Sequence, residues 1–151
     1  MKIAFLADPL AGFKTYKDST FAMMREAAKR GHAVYAFEQK DMALEEGIVT
    51  ALVKHIELTG DEHDWYKVVS TEEVRLSALD AIIERKDPPF DMEYVYGTYL
   101  LELAEKQGAC VFNKPSAIRD NNEKLAIAQF SEFTSPTLVT SDEARLRAFH
   151  A

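Results

Sequence analysis

Ile3-Ala4-Phe5-Leu6-Ala7-Asp8-Pro9 is the stretch on which the fold turns. Five apolar residues in a row, without alternation, suit a strand buried on both faces, as in a parallel sheet, better than a strand with one wet face. Asp8-Pro9 closes the run, and a loop rich in Gly, Lys and Tyr follows. From Phe21 to Arg30 the apolar residues Phe21, Met24, Ala27 and Ala28 recur at helical spacing. Asp18, Ser19 or Thr20 can cap that helix and Gly31 can end it. Ala33-Val34-Tyr35-Ala36-Phe37 then reads as a second strand, which completes a strand-helix-strand unit with a right-handed crossover.

Outward from this unit the rhythm breaks and resumes. Residues 41–78 carry short alternating pieces, Val49-Thr50-Ala51-Leu52-Val53 and Tyr66-Lys67-Val68-Val69, among Gly47, Gly60 and acidic turns, and predict a small antiparallel insertion. A strand at 80–84, a loop at Arg85–Asp91 and a helix over 92–107, with Asp91 as N-cap and Gly108 as stop, restore the α/β alternation. A fourth strand is expected at Ala109-Cys110-Val111-Phe112, helical stretches around 116–119 and 121–130, a short strand at Thr137–Thr140 and a last helix from Ser141-Asp142-Glu143. The pattern predicts an α/β fold in three layers: a mostly parallel sheet with helices on both faces and a small antiparallel insertion.

The 151 residues, 47% hydrophobic, match about one ordinary domain and can bury a real core. A net charge of −7 opposes sequence-independent nucleic-acid binding, which needs a basic stripe to displace phosphate counterions. Cys110 is the one cysteine, so no internal disulfide forms, and Met1-Lys2 leads into a strand instead of a secretory apolar run. No run approaches the roughly 18 to 20 apolar residues that cross a bilayer. The expectation is an acidic cytoplasmic protein.

In open α/β sheets ligands bind beyond the carboxyl ends of the strands, where Asp8, Arg85–Asp87 and Asn113-Lys114 all fall. Arg85-Lys86-Asp87-Pro88-Pro89-Phe90-Asp91 puts three charges and two prolines straight after an apolar run. The prolines stiffen the loop, so it reads equally as a rigid turn or as a site whose charged groups are held in place. Lys17-Asp18-Ser19-Thr20 offers free helix N–H groups and hydroxyls to a carboxylate or phosphate, and ordinary capping explains the same residues. Asp18 would repel an anion and welcome an amino group. The nucleotide motifs G-x-G-x-x-G and G-x-x-x-x-G-K-[ST] are absent. His32, His55, His63 and His150 lack metal-ligand spacing, and no metal is assigned to this chain's residues. Cys110, inside an apolar strand, reads as an inert core thiol. Most of the aromatic and aliphatic residues Tyr94, Tyr96, Tyr99, Leu100, Leu101, Leu103 and Ala104 read as the core face of their helix.

Together these motifs carry a resemblance. Asp8-Pro9, Lys17 to Met23, Arg85 to Asp91, Asn113-Lys114-Pro115 and Arg119-Asp120-Asn121-Asn122-Glu123-Lys124 resemble, in order and spacing, the N-terminal part of bacterial glutathione synthetase. Tyr94-x-Tyr96-x-Thr98-Tyr99 and Thr137–Thr140 extend the similarity along the whole chain. The resemblance implies a pre-ATP-grasp, Rossmann-like domain over 1–122 and the start of the ATP-grasp central domain over 123–151. It implies a homo-oligomeric ligase that uses ATP and Mg2+ to join γ-glutamylcysteine to glycine through an acyl phosphate. Lys124 matches the family's first ATP-contacting lysine. Asp18, Ser19, Arg85, Lys86 and Asp87 are the implied substrate contacts, with Arg85 or Lys86 for a carboxylate and Asp18 or Asp87 for the amine. No catalytic residue is assigned within the 151 residues, and the Mg2+ ligands are expected elsewhere in the parent. The chain alone is therefore expected to be inactive, with 125–151 mobile or docked on a neighbouring chain. Two rival classes are a phospho-accepting receiver module and a non-catalytic assembly domain. The receiver needs an acidic pair after the first strand, where Asp8 stands alone before Pro9.

Overall fold

The computed structural model describes residues 1–61, 63–122 and 124–150. Contacts divide the chain into two compact units, Met1–Arg119 and Asp120–Ala151. The first unit is built on a seven-stranded sheet. Its parallel part runs β2 (Ala33–Phe37), β1 (Lys2–Leu6), β6 (Ala81–Glu84) and β7 (Val111–Phe112), each pair in parallel register. The insertion extends it: β4 (Ile48–Leu58) pairs antiparallel with β2, β3 (Met42–Glu45) and β5 (Tyr66–Arg75). Residues 54–56 of β4 meet β2 and residues 48–51 meet β3, while β5 takes the opposite edge. The insertion strands are longer than their short alternating cores suggest, because pairing to β2 and β3 carries β4 through Lys54 and His55, where the apolar alternation lapses. Glu46 (φ 49°) and Gly47 (φ 81°) make the two-residue turn between β3 and β4, both in the positive-φ region that matches hairpin twist.

Alternation along the parallel strands assigns the two faces. Phe5, Val34 and Ala36 point to the side of helix α1 (Ser19–Lys29), where they pack with Met24 and Ala27. Ala4, Leu6, Tyr35 and Phe37 point to helix α2 (Met92–Lys106), where Leu101 and Ala104 complete the core with Val49, Ala51 and Val53 of the insertion. The sheet thus has a helix on each face, the three-layer α/β class expected from the alternation. Asp18 caps α1, its Oδ1 accepting from the N–H groups of Thr20 and Phe21, and Asp91 caps α2 by accepting from Tyr94 N–H. Gly108 ends α2 at φ 101°, a left-handed conformation that a side chain would strain.

Three readings change. β7 is two residues long, and Cys110 precedes it with its thiol exposed, so the core-thiol reading fails. Ala109 and Val111 take the buried side of this extended stretch, which sends Cys110 to the other. Most of the α2 residues read as core are core, Tyr94, Leu101 and Ala104 being buried and Leu100 and Leu103 packed against the cluster; Tyr96 and Tyr99 are the exceptions, 64% and 51% exposed, because α2 meets the sheet along Tyr94, Thr98, Leu101 and Ala104. In the second unit, the stretch expected as a helix at 121–130 is a 3-10 segment at Leu125–Phe133 with a kink at Phe130. Thr137–Thr140 is irregular and makes no strand pairing among the described residues, since a strand of four residues persists only beside a partner. α3 (Pro115–Asp120) and α4 (Glu143–His150) form as expected.

Leu101 is fully buried and Leu52 is 45% exposed, which makes them a matched test of the core. Leu101→Ala is expected to cost about 2–5 kcal/mol in chemical denaturation and Leu52→Ala less than about 1 kcal/mol.

Candidate functional site

The carboxyl ends of β1 and β6 release Asp8 and the 84–87 segment side by side, and the polar groups there bind one another. Arg85 N–H donates to Leu6 carbonyl oxygen at 2.7 Å, which continues the β1–β6 pairing one residue past the strand. Lys86 N–H donates to Glu84 Oε1 at 3.0 Å, and Asp87 N–H donates to Asp8 Oδ2 at 3.0 Å. The Glu84 carbonyl accepts from Asn113 Nδ2, just beyond β7, at 3.2 Å. The Tyr94 hydroxyl, one turn into α2, lies 3.1 Å from Glu84 Oε1 and 3.2 Å from the Lys86 carbonyl. The Pro88–Pro89 peptide bond that follows is cis.

The cations of this loop have different surroundings. Lys86 Nζ pairs with Asp8 Oδ1 at 2.8 Å and donates to the Asp87 carbonyl at 2.7 Å, so it binds the loop to β1. Arg85 reaches toward α1, where Nε donates to Thr20 Oγ1 at 3.2 Å and Nη2 to Ser19 Oγ at 2.8 Å. Both acceptors are neutral, and no carboxylate among the described residues lies within ion-pair distance of Arg85. Two donors along one edge of the guanidinium are thereby oriented with no ion-pair partner among the described residues, the Glu84 carboxyl acting on the charge from a longer range. Asp87 is exposed and its carboxylate forms no ion pair among the described residues.

Two cavities open on the site. One, of 490 Å³, is lined by Lys17, Asp18, Ser19, Arg25 and Asp61 over an aromatic floor that includes Phe21 and Trp65. The other, of 420 Å³, lies on the α2 side and is lined by Asp8, Glu38, Lys40, Lys86, Glu93 and Tyr96. Asp18 and Ser19 line the first cavity and Lys86 the second, while Arg85 and Asp87 line neither; what links these residues, singled out in the sequence, is the bonding of Arg85 to Ser19 and Thr20 and of Lys86 and Asp87 to Asp8. Asn113 joins them, but Lys114 turns to Glu105 of α2 at 3.5 Å. Lys124 belongs to the second unit, where its N–H donates to Asn122 Oδ1. Among the described residues no three His, Cys, Asp or Glu side chains gather as a metal site, and no helix is long and apolar enough to cross a membrane.

Sequence reasoning missed Glu84, whose signal is an acidic residue closing the apolar run Ala81-Ile82-Ile83 immediately before two cations. It is 4% exposed. Burial raises its carboxyl above the ordinary range, opposed by the Lys86 N–H, the Tyr94 hydroxyl and the charges of Arg85 and Lys86. Burial also pushes the Tyr94 phenol up, with the Glu84 carboxylate adding to it.

An α/β domain with charged loops gathered at the carboxyl ends of parallel strands belongs to the open-sheet class, in which ligands bind beyond the strand ends. The family model described as prokaryotic glutathione synthetase, N-terminal domain, matches residues 1–119, and the chain belongs to that family. It is 60% identical over 151 residues to the glutathione synthetase of Ralstonia nicotianae, an alignment that covers 100% of this chain and 47% of that protein. The glutathione synthetase of Neisseria meningitidis serogroup B is 52% identical over 153 residues, covering 99% of this chain and 48% of the relative. That of Vibrio cholerae is 47% identical over 149 residues, covering 99% and 47%. The chain spans about half the length of the curated relatives it matches.

A raised carboxyl in the folded state favours the protonated form, so Glu84's contribution to stability is full below its unfolded value near 4.5 and is lost as pH rises through its folded value. Glu84→Gln stays neutral throughout. Unfolding measured from pH 4 to 8 is expected to show the native chain losing stability relative to Glu84→Gln above about pH 4.5, by about 1.4 kcal/mol per unit of displacement. A gap that does not change with pH would contradict this account.

Proposed function

We propose that the chain is the substrate-side part of an ATP-dependent ligase that joins γ-glutamylcysteine and glycine into glutathione. In that reading 1–122 is the N-terminal substrate domain and 123–151 begins the ATP-binding central domain. The names of its relatives support the parent activity. The observation that carries the site is Arg85, whose guanidinium is oriented by two hydroxyls and left without a carboxylate.

Arg85 takes a carboxylate of the peptide substrate, since a charge-assisted fork contact is what a guanidinium with no ion-pair partner among the described residues favours. Lys86 is the poorer candidate because Asp8 already neutralises it. Asp87 is exposed and its carboxylate has no ion-pair partner among the described residues, which suits the substrate amine, whereas one oxygen of Asp18 is already committed to capping α1. Ser19 orients Arg85 and stands within reach of the same ligand. Fixing both charged ends of a flexible peptide lowers the entropic cost of presenting its reacting carboxylate.

ATP and Mg2+ are assigned to the parent enzyme: ATP activates the carboxylate as an acyl phosphate, which the glycine amine then attacks to release phosphate. Lys124 is assigned to an ATP phosphate on family grounds, as an ammonium suited to a phosphate oxygen. The described residues offer no acidic set for Mg2+. A cytoplasmic homo-oligomer is the assembly and location that go with this reading. Receiver-like and assembly-only roles gain no support from the family match.

In the full-length parent enzyme, Arg85→Ala is expected to raise KM for γ-glutamylcysteine at least about tenfold, while Lys86→Ala acts mainly through loop stability. An unchanged KM for Arg85→Ala would remove Arg85 from the site. The 151 residues alone are expected to give no ligase turnover in an assay free of host enzyme.

A further inference from the structure

We propose that Glu84 and Tyr94 form a buried latch that sets the position of Arg85, which makes Glu84 a positioning residue for the substrate carboxylate. The proposal rests on the assignment of Arg85 given above and adds to it a residue on the other side of the chain's path. A carboxylate at the last position of a buried strand is costly unless its lone pairs are used, and here one oxygen accepts from both Lys86 N–H and the Tyr94 hydroxyl. The same hydroxyl lies 3.2 Å from the Lys86 carbonyl, so one phenol touches both ends of the turn.

The geometric consequence falls on Arg85. Its N–H is bound to Leu6 on one side, and on the other the Arg85–Lys86 peptide is held by the Lys86 N–H on Glu84 Oε1, an oxygen that Tyr94 braces together with the Lys86 carbonyl one peptide further on. With both flanking peptides fixed, the Cα–Cβ direction of Arg85 is fixed as well. Its long side chain then needs only the two hydroxyls of Ser19 and Thr20 to bring the fork to rest. Without the latch the peptide before Arg85 keeps its bonds to Leu6 and Asn113, but the Lys86 N–H that follows Arg85 loses its acceptor, and Asp8 engages only the Lys86 side chain and the Asp87 N–H beyond it. The charged and titratable groups that face Glu84 are Tyr94 from α2 and Arg85 and Lys86 from its own loop, with Asp8 of the β1 end reached through Lys86.

A purely architectural role would lower stability without favouring one substrate, so the test separates the two. In the full-length parent, Glu84→Ala is expected to raise KM for γ-glutamylcysteine about tenfold, with KM for ATP unchanged and kcat within about threefold. Glu84→Gln, which keeps an acceptor oxygen of the same reach, is expected to rescue KM to within about twofold. Tyr94→Phe, which keeps the buried ring and loses only the hydroxyl, is expected to give an intermediate rise of about threefold and serves if Glu84→Ala does not fold. Hydrogen exchange on the 151-residue chain supplies a readout independent of catalysis: the Lys86 amide is expected to lose protection in Tyr94→Phe and keep it in Glu84→Gln. Unchanged peptide KM and unchanged Lys86 protection in Tyr94→Phe would overturn the latch, as would equal rises in both KM values that Glu84→Gln fails to rescue. If Arg85→Ala also leaves the peptide KM unchanged, the assignment of Arg85 has failed; if Arg85→Ala raises it and Glu84→Ala does not, the latch alone has failed.

Discussion

A backbone leaving a buried strand must find partners for the N–H and C=O groups it takes with it, and the 84–87 segment finds them at the ends of β1 and β7, on α2 and on its own Glu84 side chain. Leu6 of β1 receives the Arg85 N–H, Asp8 receives the Asp87 N–H, Glu84 receives the Lys86 N–H, and Asn113 and Tyr94 serve the carbonyls. Because an orphaned polar group there would cost on the order of 1–3 kcal/mol, the ends of β1, β6, β7 and the first turn of α2 are locked to one another through this segment. Charged side chains that would otherwise sample many rotamers inherit that order. The rigidity attributed at first to two prolines belongs at least equally to these bonds, all of which precede Pro88.

The same locking explains how neighbouring cations acquire different tasks. Lys86 is a point charge on a flexible stem, and Asp8 lies 2.8 Å from it, so it becomes part of the frame. Arg85 leans the other way, onto the hydroxyls at the start of α1, where it is oriented without being neutralised. A guanidinium with donors to spare can do this because its fork presents several N–H groups at fixed angles. The cap of α1 and the fork of Arg85 thus share one short stretch, Asp18 to Phe21, and neither excludes the other.

The core follows from strand alternation. Phe5 and Ala4 are adjacent in sequence and pack against different helices, and Val34 and Tyr35 repeat the division on the next strand. Such continuous apolar runs were legible as parallel strands, and the helices showed themselves by their caps and stops. Periodicity was less informative where one residue decides the face. Cys110 lies between two buried neighbours and is itself exposed, and Tyr96 and Tyr99 sit on the helix side that the sheet does not reach. Glu84 ran the other way, a carboxylate that composition would place in water and that lies buried beside Leu6 of β1 and the Tyr94 hydroxyl of α2.

The sequence by itself determined the α/β class, the strand-helix-strand opening, the antiparallel character of 41–78 and the set of loops that share an edge. Each depends on local spacing or on the rule that strand ends in a parallel sheet face the same way. Tertiary structure alone decided which charge pairs with which, that Lys86 is spent on Asp8, and that Glu84 and Tyr94 meet beneath the loop. Those outcomes depend on distances between residues brought together from β1, β6 and α2, and hydrogen bonds form or fail within a few tenths of an ångström that no one-dimensional pattern encodes.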